Sequence, residues 1–321
     1  MKRRQALAAL LSGLAAAAGA RAQSYPSKTI RVIVGYTAGG AVDIVARAVA
    51  QQLQASLGQP VIIENKPGGG TNIALRALID SPPDGYTLML TANAIAANMA
   101  LYQPPPYDLA RDVTPISLVG RVPVVLAVSA QSEFKTLGDL IAAAKAKPKS
   151  VNYASPGNGS TPHLAVELFE RAAGISLTHV PYKGGSQAIT DVIGGHVQVV
   201  AVNALEVQPQ VSAGKLRVLA VMTPTRSGIF PDVPTVVESG FAGFEASVWY
   251  GFIGPAGLPP PLVTKLHAEI QRALATSDVK GRLAAAGGEV LPGTTEQFAA
   301  MLGAERARYD KLIREAGIRP D

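Results

Sequence analysis

Short β-rich runs alternate with longer amphipathic runs along most of this 321-residue chain. That alternation restricts the fold to α/β with a mainly parallel sheet, since a helix is the usual way to carry the chain back between parallel strands. Ile30-Arg31-Val32-Ile33-Val34 reads as a strand, and Gly39-Gly40 opens a helix with Val42, Val45, Ala46, Val49 and Leu53 on one stripe, ending near Gly58. Strands at 60–64 and 86–91 flank a helix at 72–79. The apolar run 122–128 reads as a crossing into a second lobe. There the rhythm repeats, with helices at 137–146, 164–173 and 186–193 and strands at 151–155, 177–181, 197–202 and 216–222. A run rich in proline and glycine leads to 247–253, the return crossing. Helices at about 261–275, with a continuation near Asp278, and at 295–316 close the chain. Phe298, Leu302, Tyr309 and Ile313 form the stripe of the last helix, which Glu305 interrupts. The organisation expected is one lobe from residues 23–122 and 247–321 and another from 123–246.

Lys2, Arg3 and Arg4 precede an uncharged run from residue 6 to 20, followed by Ala20-Arg21-Ala22. This reads as a secretory signal peptide cleaved after Ala22, with an apolar run shorter than the roughly 18 residues of a spanning helix. Its removal takes four basic residues and no acid, so the net charge of +6 falls by four to +2. No dense basic stripe remains, which argues against a nucleic-acid partner. The chain has 0 cysteines. That excludes disulfides, thiolate metal sites, a cysteine nucleophile and a lipid-bearing cysteine. The expected product is a soluble periplasmic monomer.

Two turns are built to hold an anion. In VNYASPGNGSTPHLAVELF, from Val151, a short strand meets Gly157 and Gly159, and then a helix that Thr161 can cap and Pro162 suits at its first position. Unpaired backbone N–H groups and the positive end of the helix dipole face whatever sits there, with the hydroxyls of Ser155, Ser160 and Thr161 as further donors. The second turn, GYTAGGAVD from Gly35, repeats this logic at the end of the first strand, with hydroxyls from Tyr36 and Thr37 beside Gly39 and Gly40. Asp43, in the first helical turn, reads as bonded back to its own loop. In open α/β sheets ligands lie beyond the carboxyl ends of strands, so the two crossings would set these turns face to face across a cleft.

On these residues the chain resembles the periplasmic substrate-binding proteins of tripartite tricarboxylate transporters, the Bug family. The resemblance covers nearly all of the mature chain. It rests on Tyr25-Pro26, Gly39-Gly40-x-x-Asp43-x-x-x-Arg47, Glu64-Asn65-Lys66-Pro67-Gly68, Pro83-Asp84-Gly85-Tyr86-Thr87-Leu88, Tyr153-Ala154-Ser155-x-Gly157-x-Gly159-Ser160-x-x-His163-Leu164-Ala165, His179-Val180-Pro181-Tyr182-Lys183-Gly184, Pro231-Asp232-Val233-Pro234-Thr235 and Trp249-x-Gly251. It implies a two-lobed type II periplasmic binding fold, a Venus flytrap that closes on a small carboxylate and passes it to a membrane transporter without chemistry or cofactor. Carried over by motif, the binding loops are residues 36–40, Thr91 to Asn93, Ser155 to Thr161 with Gly157, Gly159, Ser160 and His163, then Tyr182, Lys183 and Gly184, and the strand end near Asn203. Two departures stand out. The family commonly has prolines in the first loop, where this chain has Gly35 and Ala38. Many members also carry an acid just before the position of Asn203, where this chain has Val202. With Asp43 engaged by its own loop and Glu206 taken to point away from the cleft, the expected ligand has no amine.

His163 lies in the first turn of the key helix, where bonding to nearby backbone competes with a ligand role. His179, His196 and His267 lack metal-ligand spacing, so no metal site is expected. Trp249 is expected beside the hinge, with a wall of the cleft as its other reading. Lys183 offers either a cation to the ligand or a solvent-facing loop side chain. A secreted serine hydrolase fits poorly, because neither Ser155 nor Ser160 sits in a G-x-S-x-G frame. Transport and a ligand-presenting sensor role use the same closing cleft, and on sequence both stay open.

Overall fold

The computed structural model describes residues 25–285 and 287–319; the signal-peptide reading of residues 1–22 lies outside them. The first lobe begins with β1 (Ile30–Val34), α1 (Ala41–Leu57), β2 (Val61–Asn65), α2 (Asn72–Ile79) and β3 (Thr87–Ala92). β1 pairs in parallel with β2 and with β3, in registers such as Val32 opposite Ile63 and Leu88. Then come α3 (Ala94–Leu101), α4 (Leu109–Asp112) and the long β4 (Val113–Ser129). The second lobe holds α5 (Leu137–Ala146), β5 (Asn152–Ser155), α6 (Thr161–Ala173), β6 (Thr178–Pro181), α7 (Gly185–Ile193), β7 (Val199–Asn203), α8 (Ala204–Ser212) and β8 (Leu216–Val221). β9 (Ser247–Pro255) returns to the first lobe, followed by α9 (Pro260–Ala275), α10 (Ser277–Ala284), β10 (Glu289–Val290) and α11 (Thr295–Ala316).

The strand order is β2-β1-β3-β9-β4-β7-β5-β6, with β8 and β10 also on β4. β4 is shared. As far as Pro123, opposite Ser247, it pairs antiparallel with β9; from Val124, opposite Asn203, it pairs with β7 and β8. The parallel trio β7-β5-β6 of the second lobe thus mirrors β2-β1-β3 of the first, and both trios hang on the two antiparallel crossing strands. In β4, Val124, Val125, Leu126, Ala127 and Val128 are fully buried, as expected of a strand covered on both faces.

Most elements lie within a residue or two of the sequence reading; the short α4 and β10 have no counterpart in that reading, and three further stretches carry no period that could be read. α3 is buried at every residue but Ala100, so it has no polar face. α8 contains Pro209, which reads as a helix breaker. β4 runs through Pro115 and two register shifts that disguise its first half.

The last helix docks in spite of Glu305. Phe298, Leu302, Tyr309 and Ile313 are buried. The Glu305 carboxylate accepts from Trp249 Nε1 at 3.0 Å and Asn93 Nδ2 at 3.1 Å. Two hydrogen bonds to a charged acceptor explain why a carboxylate is tolerated on that stripe. The Trp249 ring packs edge-on against Phe298 at 5.8 Å, beside the crossing.

Candidate ligand site between the lobes

Four helices begin at the cleft: α1 after Gly40, α6 after Ser160, α7 after Gly184 and α8 after Asn203. Each points its free N–H groups and positive dipole end inward, so the field there favours an anion without any basic side chain. Between them lies a pocket. From the first lobe it is lined by Tyr36, Gly40, Ala41, Val42 and Ala92, from the second by Pro156, Ser160, Thr161, Pro162, Gly185, Asn203 and Glu206, and by Val248 at the return crossing.

The loop before α1 is pinned from behind. Asp43 Oδ2 accepts from Gly39 N at 2.9 Å and Arg47 Nε at 2.8 Å, while Oδ1 accepts from Asn65 Nδ2 at 3.0 Å. Asn65 also donates to the Tyr36 carbonyl at 3.0 Å. Burial works against the Asp43 charge, but Arg47, Gly39 and Asn65 outweigh it and hold the carboxyl below its ordinary value. Asp43 therefore shapes the loop and stays out of the pocket.

At α6, Ser160 Oγ accepts from His163 N at 3.4 Å, a helix cap that leaves the hydroxyl proton free. His163 Nδ1 accepts from Gly159 N at 3.2 Å, and its ring stacks on His179 at 4.3 Å. His163 is thus committed to backbone and ring contacts. Gly157 (φ +126°) and Gly159 (φ +73°) take left-handed conformations, and a Cβ on Gly159 would stand 2.4 Å from Asn98 Oδ1 of the first lobe.

The lobes touch. Thr37 N donates to the Lys183 carbonyl at 3.1 Å, Thr37 Oγ1 lies 3.3 Å from Ser186 Oγ, and Ser186 Oγ donates to the Ala38 carbonyl at 3.2 Å.

Of the residues singled out in the sequence, Tyr36, Gly40, Ser160, Thr161 and Asn203 meet at the pocket. Thr37, Lys183 and Gly184 form the seam between lobes, and Gly39 donates to Asp43. Gly157, Tyr182 and Lys183 line a separate opening with Tyr36, Gly69 and Gly70. Thr91 is buried within β3. Asn93 is occupied by Trp249, Glu305 and Tyr309. Ser155 is taken up by His179 at 2.7 Å and Gly157 N at 3.1 Å. Trp249 does not line the pocket.

One expectation is overturned. Glu206 does not point away from the cleft: it lines the pocket, 8% exposed, on the third residue of α8. Asn203 Nδ2 donates to Oε1 at 3.0 Å, while Oε2 has no hydrogen-bond partner. Burial lifts this carboxyl to about 7 against the opposing pull of Asn203 and the Ala41 N–H. The side chain is accommodated because residue 185 is glycine; a Cβ there would fall 1.6 Å from Oε2. The available signal was Asn203-x-x-Glu206 at a strand end. That spacing sets an N-cap and a first-turn acid on the same side of a starting helix.

Among the described residues Thr161 Oγ1, Asn203 Oδ1 and Glu206 Oε2 are all buried on this one pocket and make no hydrogen bond of normal geometry, with only the Tyr309 hydroxyl near Thr161 and the Ala41 N–H near Glu206. Buried polar atoms are nearly always satisfied, so three orphans around one opening mark a place for a ligand. A two-lobed α/β fold on shared crossing strands, with such a cleft at the helix N-termini, defines a periplasmic binding protein of the two-lobed type. The model of the tripartite tricarboxylate transporter family receptor matches residues 45–318. BugT of Bordetella pertussis is 36% identical over 305 residues, which is 94% of each chain. MatC of Rhodopseudomonas palustris, solved with bound malate, superposes with TM-score 0.86 at 30% identity over 90% of this chain and 100% of its own. An R. palustris protein solved with adipate gives 0.88 and 33%, over 93% and 100%. The chain belongs to the tripartite tricarboxylate transporter receptor family, the Bug proteins.

Proposed function

We propose that this protein captures a small organic carboxylate between its lobes in the periplasm and delivers it to a membrane transporter of the tripartite tricarboxylate type. The observation that carries this reading is the trio of unpartnered buried atoms on a pocket walled by four helix N-termini. The malate and adipate held by two relatives are acids of the class such a field suits. Among the described residues no helix is long and apolar enough to cross a membrane. With lobe boundaries at 122/123 and 246/247, the hinge falls where β4 leaves β9 for β7 and β8. Ser160 and Thr161 supply hydroxyl donors to the carboxylate, and Tyr36 walls the first-lobe side.

A thermal-shift screen over succinate, glutarate, adipate, malate and their amino-acid counterparts tests the reading. A ligand at a hundred times its Kd stabilises the folded state by about 2.7 kcal/mol. A melting temperature unmoved by every acid would reject the proposal. Delivery is tested by capture of the transporter's membrane subunits with and without the acid found.

A further inference from the structure

We infer that Glu206 enters the complex as a neutral acid whose Oε2–H donates to a ligand carboxylate, so that capturing the anion takes up a proton and excludes ligands that would place an ammonium there. The inference rests on the carboxylate-receptor reading and names the group that sets its specificity. The geometry distinguishes the two oxygens. Oε1 receives the Asn203 amide and is the natural carbonyl oxygen of a protonated carboxyl; Oε2 receives no donor and is left for the hydroxyl, aimed into the pocket.

Among the described residues no lysine or arginine lines the pocket to hold Glu206 as an ion pair. Burial favours the neutral acid and outweighs Asn203, the Ala41 N–H and the helix starts, which favour the charge. The other titratable groups facing Glu206 are the phenols of Tyr36, from the loop after β1, and Tyr250, from β9; burial and Glu206 itself push both upward, so neither supplies a charge near neutrality. From α1, Asp43 turns its carboxylate back to its own loop. On its outer side Glu206 borders a recess of mixed character, with Ser186, Gln210 and the exposed Lys215 beside Ile189 and Ile193. An incoming carboxylate brings like charge to an acid already lifted to about 7 by burial, which raises it further. Above neutrality the balance is therefore ionised receptor plus carboxylate plus one proton, giving the neutral acid hydrogen-bonded to the carboxylate.

Calorimetry with the tightest binder among succinate, glutarate, adipate and malate, run in two buffers of different ionisation enthalpy, counts the protons. Close to one proton should be taken up at pH 8, with affinity falling about tenfold per pH unit above pH 7.5 and flat below pH 6. Glu206→Gln keeps a donor at Oε2 and an acceptor at Oε1, so it should still bind the acid with neither proton uptake nor a pH slope. Proton release with affinity rising as the pH rises would overturn the inference, because an ionised Glu206 would then be meeting a cation. So would wild-type binding with no proton linkage, or an unchanged slope in Glu206→Gln. If none of the four acids binds wild type anywhere between pH 5.5 and 9, the receptor reading fails first and this inference with it.

Discussion

Ser160 has two hydrogen-bonding capacities, and the fold uses one of them. Its oxygen accepts from His163 N, and its proton is free for a ligand. Removing a donor to a charged group costs about 1.5–3 kcal/mol, so Ser160→Ala should weaken acid binding roughly ten- to a hundredfold by calorimetry. Loss of the cap should also take about 1 kcal/mol from stability. His163→Phe should weaken binding less, and the reverse order would reject these roles. His163 itself is held neutral, since burial and the adjacent His179 carry it down to about 3. A free histidine titrates near about 6.5. Its folded value is the lower one, so protons enter the unfolded chain first: the stabilisation is complete above about pH 6.5 and is lost as the pH falls toward 3. Between pH 6.5 and 5 this amounts to about 2 kcal/mol. His163→Asn, which keeps an acceptor near Nδ1, should therefore lose less melting temperature than wild type between pH 7 and 5; equal acid slopes would exclude the effect.

Helix starts, rather than helix bodies, make this site, and glycines let the two lobes bring them together. Gly184, the residue before α7, is extended (φ 165°) and so is not needed for its backbone angles. It is needed for space, since a Cβ there would sit 2.1 Å from Thr37 Oγ1 across the seam. Gly184→Ala should leave the ligand-free melting temperature in place, because the proposed closing motion leaves Thr37 and residue 184 apart when no ligand is bound. Binding should weaken by about 1–3 kcal/mol, roughly five- to a hundred-and-fiftyfold. Titration calorimetry beside a melting curve separates the two effects. Undiminished affinity would mean that the Thr37–Gly184 contact is absent from the bound state.

Each lobe supplies only part of the pocket, with Tyr36, Gly40 and Ala41 on one side and Ser160, Thr161 and Glu206 on the other. A ligand that needs both should draw them together, with the expected pivot where β4 leaves β9 for β7. Small-angle scattering should show a smaller radius of gyration once an acid is bound; an unchanged radius at saturation would count against closure. NMR of an acid incubated with the protein should show it unaltered, and conversion at a rate tracking protein concentration would overturn a purely binding role.

The alternation of strands and amphipathic helices, the two anion-ready turns and the role of Asp43 were legible in the sequence because each depends on neighbours a few residues away. Ser160 and Thr161 could be placed at the pocket from the strand, glycine turn and helix start that they occupy. α3 could not be read, since a helix buried on every side has no period, and the first half of β4 was hidden by Pro115. Asn93 and Ser155 looked like binding groups until partners far along the chain, Glu305 and His179, claimed them. Glu206 shows the boundary most clearly. Its spacing from Asn203 set its side of the helix, but whether that side met solvent or the cleft was decided by Gly185 and by α1 from the other lobe. Local pattern fixes where a backbone N–H or a side chain points, whereas the company a side chain keeps depends on contacts that only the folded chain brings together.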